Sequence, residues 1–434
     1  MRSWPVDPAS PLWRRLSRER FSGATLAGDA DCDAAIVGGG VSGLATALAL
    51  RARGLSVIVL EAATVGAGAS GRANGQVIPA LTRHGPDAIR PLLGDPFIDL
   101  LASGADRLFG LVDKYGIDCD ARRSGWLQPA HSPGRAARVA GLAAQWAAAG
   151  APAREVDREE MAARLGGGTY FGGWEHRGGG HVNPYALTVG LARAADGEGA
   201  AVFENSPVTA LARDAGGGWV LDTPAGRVKA RRVALATAAH TGDLWPGLRG
   251  TIVPVTSYQA ATAPLGELAP SVLPGDEAFS DTRQDLRYMR KDREGRIVSG
   301  GALAIQAAAA WRLPRLLGHR LAAFRPDLAG VPLPDFWGGR IAMTVDRLPR
   351  LHRRPDGLSA WIGCNGRGLA LACAMAEILA DAVCDVPDAG LALRPTPLAP
   401  VPFHPFVSRT ARLILPWLRW QDGREVAPPP ASRT

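Results

Sequence analysis

Near the start of the chain, Gly38-x-Gly40-x-x-Gly43 stands between a short apolar run and a stretch with helical spacing. Each glycine meets a different steric demand. The first permits a tight turn, the second lets a pyrophosphate approach the backbone, and the third lets helix and strand pack closely. Residues 33–37 read as a buried strand, and residues 41–53 as a helix with Leu44, Ala45 and Leu48 on one face, stopping at Gly54. Residues 56–60 form a second apolar strand that ends at Glu61. Strand, helix and strand within about 30 residues make a parallel βαβ unit with a right-handed crossover. The helix N-terminus offers free N–H groups and a positive dipole end to phosphates. Glu61 follows Gly43 by 18 residues, where an acid hydrogen-bonds adenosine ribose hydroxyls and repels a 2′-phosphate. The fingerprint fits NAD and FAD alike, and a glycine turn without a ligand is the bland alternative.

Length and composition narrow the class. A chain of 434 residues divides into roughly three domain-sized pieces. Hydrophobic residues at 47% and charged residues at 21% exclude wholesale disorder. The five cysteines show no CxxC, which argues against a disulfide framework or zinc knuckle and for a reducing compartment. The net charge of +8 comes from scattered arginines rather than a stripe with interleaved aromatics, so no nucleic-acid partner is expected. No HxH or HExxH occurs, so no metal is expected. Residues 34–50 carry no charge, but 17 residues interrupted by glycines fall short of the ~18–20 that cross a bilayer. With no membrane span and no apolar run behind the first charges, the chain reads as cytoplasmic. The first 30 residues, with Trp4, Trp13 and Phe21, are expected along the surface.

Further on, residues 91–150 read as mostly helical, 166–180 as a glycine-dense stretch and 183–195 as a helix. Short strands follow at 201–203, 208–213, 219–223, 226–230 and 232–236. A hairpin is expected from 286–290 and 297–301, then a late strand at 360–363, a helix at 369–383 and a tail from Pro395. Residues 403–420 mix arginines with apolar side chains, as a membrane-surface helix does; docking on the chain's own domain is preferred. His176 and His181 flank a glycine run and fit a loop position as well as a functional one. One segment separates the two dinucleotides. Gly66-Ala-Gly-Ala-Ser-Gly71-Arg-Ala-Asn-Gly75-Gln76 follows the acid directly, where a plain nicotinamide-binding domain would continue into its next helix. It suits a backbone threading beneath a large ligand, with Ser70 and Asn74 as hydrogen-bond partners; a flexible surface loop is the alternative.

At residues 65–76 the chain resembles the flavin segment of FAD-dependent amine and D-amino acid oxidases, and most of all the branch of γ-glutamylputrescine oxidases, whose pattern is GASGRNGGQ. It departs from that pattern at Ala73-Asn74. The likeness continues through His181-Val-Asn-Pro-Tyr185, Ser206-Pro-Val208, and Leu235-Ala-Thr-Ala-Ala-His240, where the family has ATNAYT. It ends with residues 337–349 and Gly363-Cys-Asn-Gly-Arg-Gly368, where Cys364 replaces a family tyrosine.

The resemblance implies an α/β (α+β) two-domain fold, with a Rossmann-like FAD-binding domain of the glutathione-reductase type and an antiparallel-sheet substrate domain. FAD-binding segments are expected at 30–90, 180–248 and 340–386, substrate-domain segments at 91–179 and 249–339, and a C-terminal tail at 387–434. Non-covalent FAD would be held by Gly38, Gly40, Val41, Ser42 and Gly43, by Glu61 and Ala62, and by Gly68, Ala69, Ser70, Gly71, Arg72, Ala73, Asn74, Gly75 and Gln76. Val208, Ala236, Thr237 and Trp337 would add contacts, as would the loop of Asn365, Gly366, Arg367, Gly368 and Leu369. Arg367 would either stabilise negative charge on the flavin or pair with a surface acid. The implied chemistry is hydride transfer from the carbon beside an amine nitrogen to flavin N5, then imine hydrolysis, with O2 or another acceptor taking the electrons. No firm acid or base stands out; Tyr258, Tyr288, Arg290 and His240 are substrate-side candidates. The family's carboxylate-clamping arginine falls at Ile341, with Arg340 one residue off, which favours an amine such as an acylated polyamine over a simple α-amino acid. An amine dehydrogenase, a nicotinamide-dependent dehydrogenase and a non-catalytic flavin protein remain as alternatives. Oligomeric state is left open.

Overall fold

The computed structural model describes residues 11–426, so Trp4 lies outside the described residues. The chain forms two compact units. The first comprises residues up to Ala121, Val182–Thr256 and Gly338–Ser408; the second comprises Arg122–His181, Ser257–Trp337 and the chain from Arg409.

The first unit is built on a largely parallel sheet. The strand Ala30–Val37 pairs in parallel with Val57–Leu60 on one side and Gly226–Leu235 on the other. Leu358–Ile362 then adds beyond Gly226–Leu235, and Ala201–Phe203 beyond Val57–Leu60, both also parallel. Ala34, Ala35, Ile36 and Val59 are fully buried, as expected where both faces of a parallel sheet are covered; on one face Ala35, Val37, Ile58 and Leu60 pack with Trp219, Leu221, Trp245 and Leu248. The helix Val41–Arg51 packs on Pro184–Gly197 and Gly368–Val383. Small residues allow close approach: a Cβ on Gly104, at the start of Gly104–Lys114, would lie 2.8 Å from the carbonyl oxygen of Ala370.

Three expectations change here. The strands read at 226–230 and 232–236 are one, Gly226–Leu235. Lys229 and Arg231 point outward while Val228 and Ala230 are buried, so the charges do not break the strand. The N-terminal stretch is anchored inward. In the short helix Leu12–Leu16, Trp13 is buried; its Nε1 donates to the Ala73 carbonyl at 2.8 Å, and its own carbonyl accepts from Asn183 Nδ2 at 3.0 Å. The tail from Pro395 is also structured: Val401 N–H donates to Gly250 O at 2.8 Å, and a helix spans His404–Thr410.

The second unit carries an antiparallel sheet. Tyr258 to Ala261 pairs with Ile297–Gly301, which pairs with Tyr288–Lys291, confirming the expected hairpin; Ala278–Ser280 follows. Trp126–Pro129, Gly173–His176 and Ala153–Val156 extend it. The strand Trp126–Pro129 falls in the stretch read as mostly helical; it is only four residues long and lies between the helix Gly104–Lys114 and the Ala-rich helix Pro133–Ala148. Trp126 and Trp174 meet edge-to-face at 5.6 Å in its core. The helix Leu415–Val426 belongs to this unit, and its buried Asp422 accepts from the amides of Gln284 and Asp285 at 2.8 and 3.0 Å.

His176 and His181 are strand residues rather than loop residues, and both are buried. Neither ring nitrogen of His176 has a hydrogen-bond partner, and desolvation pushes its imidazole down to about 4 from 6.5. The proton is therefore taken up more readily by the unfolded chain. Stability from this group is intact above pH 6.5 and is lost as pH falls through about 4. The loss amounts to roughly 3 kcal/mol, at about 1.4 kcal/mol per pH unit. Urea unfolding of His176→Phe is expected to remove this part of the acid sensitivity; an unchanged slope between those pH values would refute it.

Candidate functional site

In the first unit the motifs gather at the carboxyl ends of the parallel strands, where ligands bind in open α/β sheets. Val37, Leu60 and Leu235 end adjacent strands in register, so Gly38, Glu61 and Ala236 emerge side by side. Gly38 has φ +112°, and a Cβ there would lie 2.8 Å from the carbonyl oxygen of Ala236. A Cβ on Gly43 would sit 2.0 Å from Gly38 O, and one on Gly40 2.8 Å from Ser70 Oγ. The turn has no room for side chains. Gly40 precedes Val41–Arg51 without a side-chain cap, and the Val41 N–H is met by Ser70 Oγ at 3.1 Å. Ser42 Oγ accepts from Trp361 Nε1 on the neighbouring strand.

Glu61 closes its strand with both carboxylate oxygens engaged. Oε2 accepts from Gly39 N–H at 2.8 Å and Oε1 from Ala63 N–H at 3.0 Å. Burial pushes its carboxyl up, against the pull of these donors. Ala62 beside it is exposed. The backbone past Ala201–Phe203 braces this corner: Ser206 N–H donates to Glu61 O at 2.8 Å, and Glu204 accepts from Val65 N–H at 2.7 Å. Val208 is buried in the unit's core.

Residues 66–76 are not a flexible loop. Gly66 has φ +79°, and a Cβ on Gly71 would lie 2.1 Å from Gly66 O, so the segment closes on itself through the short 3-10 turn Ala69–Gly71. Arg72 is buried and pins it, donating through Nε to Ala67 O at 2.8 Å and through Nη1 to Gly338 O at 3.2 Å. Trp13 holds Ala73, and Val182 N–H holds Gly75 O at 2.9 Å. Asn74 and Gln76 are half-buried at its end. Gly68 faces His240, whose ring atom lies 3.7 Å from where a Cβ would stand. His240 is exposed to solvent. Desolvation, then Arg340 and Arg72, hold its imidazole below the usual value.

The loop before the helix Gly368–Val383 is stitched to residues 342–344. Asn365, at φ +51°, accepts from Thr344 N–H at 2.9 Å and donates to Gly363 O at 2.7 Å. Gly366 has φ +80°, with Ile341 Cδ1 facing it. Gly368–Val383 begins with no side-chain cap, and Leu369 is buried in its first turn. Arg367 makes no ion pair among the described residues, which rules out pairing with a surface acid among them. It donates to Thr82 Oγ1, and its Nε is buried without a partner. Burial, then Arg83 and Arg347, push this guanidinium down to about 9, still charged at neutral pH. Thr82, Arg83, Arg347 and Trp361 were not singled out in the sequence, although Arg347 lies within the 337–349 segment and Trp361 within the expected strand at 360–363.

The remaining candidates lie in the second unit. Trp337 is fully buried there. Tyr258 stacks on Phe336 with centroids 5.5 Å apart. Tyr288 hydroxyl accepts from Gln259 Nε2 at 2.8 Å, and burial pushes its phenol up. Arg290 is buried, with Nη1 donating to His181 Nδ1 and to Lys291 O, both at 3.1 Å. His181 Nε2 then faces the Asp276 carbonyl at 3.0 Å, a neutral donor held by burial. Among the described residues no group of three or more His, Cys, Asp or Glu side chains could hold a metal ion, and no helix is long and apolar enough to cross a membrane.

The chain belongs to the FAD dependent oxidoreductase family (DAO), whose model matches residues 33–382. It is 31% identical over 374 residues to "Probable oxidoreductase OrdL" of Rhizobium meliloti, covering 85% of this chain and 86% of that one. It is 30% identical over 401 residues to "Gamma-glutamylputrescine oxidoreductase" of Escherichia coli, covering 90% and 91%. Glycine oxidase from Geobacillus kaustophilus shares the fold, with TM-score 0.69 at 24% identity over 86% of this chain and 98% of that one. The protein is thus an FAD-dependent amine or amino acid oxidoreductase with the expected α/β fold. The residues fit the cofactor. The glycine cradle excludes every Cβ, two helix N-termini lack side-chain caps, and Arg367 carries an orphaned N–H.

Proposed function

We propose that the protein oxidises the C–N bond of an amine whose acidic group lies away from the reacting carbon, with a γ-glutamylated diamine as the model substrate, and that O2 receives the electrons to give hydrogen peroxide. When bound, FAD supplies the acceptor for the hydride. The chain's own residues position and polarise. We assign the glycine turn and Glu61 to the adenosine and pyrophosphate end, and residues 66–76 and 363–368 to the ring end. Arg367 adds an uncompensated positive charge where negative charge develops, an arrangement that favours the charged state without reorganisation. Burial pushes the Cys364 thiol up, which disfavours the thiolate that a tether at this cysteine would need, in keeping with non-covalent FAD. The FAD-binding segments are assigned to 30–90, 180–248 and 340–386, and the substrate side to 91–179 and 249–339. The enzyme acts in the cytoplasm.

One observation carries the substrate class. Ile341 points at Gly366, while its neighbour Arg340 lies in the field of Arg249 and His240. A strand cannot present both side chains to one face, so this strand offers no α-carboxylate clamp beside the 363–368 loop. The similarity to a γ-glutamylputrescine oxidoreductase over 90% of the chain supports the same class. Oxygen consumption and peroxide formation are expected to match one-to-one with γ-glutamylputrescine, with a kcat/KM at least ~100-fold above that for D-alanine, which is about 2.7 kcal/mol of transition-state discrimination. Electrons that reach only dyes or quinones would replace the oxidase with a dehydrogenase; a preference for D-alanine would overturn the substrate class.

A further inference from the structure

The second unit holds a polar cavity that the proposed reaction does not use. Along the hairpin strand at 286–291, alternation places Tyr288 and Arg290 on one face and Arg287 and Met289 on the other. On the Arg287 face, beneath the helix Ala309–Phe324, is a cavity of about 100 Å³. Arg283, Arg287, Arg320 and Ser299 form its polar wall, and Met289 and Leu317 part of its apolar one.

The guanidiniums outnumber their partners. Arg283 is ion-paired with Asp281. Arg320 shares Asp285 with Arg419, whose Nε lies 2.6 Å from the same carboxylate oxygen, so one acid serves two cations. Arg320 Nη1 is buried with no hydrogen-bond partner. The Arg287 guanidinium has neither ion pair nor hydrogen bond among the described residues, although its backbone N–H donates to Asp281 at 3.0 Å. Burial, then Arg283 and Arg320, hold Arg287 below its usual value. A desolvated cation facing two others is destabilising for the empty fold. The excess positive charge is what an anionic occupant would compensate.

We propose that this cavity binds a short aliphatic carboxylate, its oxygens bridging Arg287 and Arg320 Nη1 and its chain lying against Met289 and Leu317. Guanidinium forks match carboxylate geometry and give strong charge-assisted hydrogen bonds. At ~10–15 Å³ of such space per water, the volume holds roughly seven waters or one ligand of a few carbons. The site lies on the opposite sheet face from Tyr288 and Arg290, so it is separate from those substrate-side candidates.

The test is thermal melting of the full-length FAD-bound enzyme across a titration of glutarate at constant ionic strength, with inorganic phosphate as the comparison. A saturable rise with glutarate is expected, and Arg287→Gln weakens its apparent affinity at least ~10-fold, the scale of one charge-assisted hydrogen bond. Without ligand, Arg287→Gln melts at or above the wild-type temperature, because it removes a repelled cation. Arg287→Lys keeps the charge but loses the fork, and falls between them. A glutarate shift that survives Arg287→Gln, a ligand-free Arg287→Gln that melts below wild type, or a shift with phosphate alone overturns the proposal.

Discussion

Gly43→Ala purifies with its FAD largely lost, below about a tenth of wild-type occupancy, while its circular dichroism stays close to native. The added Cβ would stand 2.0 Å from Gly38 O, a backbone atom that cannot swing aside as a side chain could. Relief requires the helix Val41–Arg51 to move off the strand, or the turn at Gly38 to open. Either movement spoils the cradle where the N–H groups and a pyrophosphate must meet. Overpacking of this kind typically costs 1–3 kcal/mol. Set against cofactor affinity, that is about five- to 150-fold. Gly141→Ala is the control. It lies inside the helix Pro133–Ala148 with nothing near its Cβ, and should gain up to about 1 kcal/mol of stability with FAD unchanged. Full occupancy in Gly43→Ala would show that the cofactor is bound elsewhere.

Arg367→Met keeps its FAD but loses kcat by about a hundredfold, and the midpoint potential of the bound cofactor becomes more negative. The expectation follows from an imbalance. Arg367 is half-buried, has Arg83 and Arg347 in its field, and among the described residues finds a threonine hydroxyl and no acid for a partner. Such a charge costs stability in the resting fold. It repays that cost only if negative charge develops beside it during turnover, where one preorganised donor is worth ~10²–10³ in rate. Methionine keeps the length of the side chain and removes the charge. The two readings of Arg367 therefore separate cleanly. A packing role predicts a kcat within about threefold of wild type and an unmoved potential, which would refute the electrostatic assignment.

What the sequence made legible was local. The glycine turn, Glu61 and residues 66–76 are defined by neighbours within some 40 positions, and each answers a steric or polar demand that a residue type alone can meet. Asn365 was legible for a similar reason: in a left-handed turn, glycine and asparagine are the residues at least cost. The contacts that hold these pieces were not legible. Trp13 reaches Ala73 and Asn183, and Arg367 reaches Thr82 across 285 positions, with no periodicity to announce either partner. Arg290 was a substrate-side candidate through the family resemblance, and its hydrogen bond to His181, 109 positions away, was not legible. Short elements were lost to their surroundings, as the four-residue strand Trp126–Pro129 was between two longer helices. Proline-rich composition gave no sign of the structure that begins near Pro395, whereas the mix of arginines and apolar side chains at 403–420 already favoured docking on the chain's own domain.

The most direct test of the central claim is the visible spectrum of the pure FAD-bound enzyme, recorded anaerobically while γ-glutamylputrescine and then D-alanine are added. The expected result is a flavin band near-completely bleached by the first compound, little affected by the second, and restored by air. A flavin band that neither compound bleaches, or that D-alanine alone bleaches, would contradict the assignment of this site to an amine with a remote acidic group.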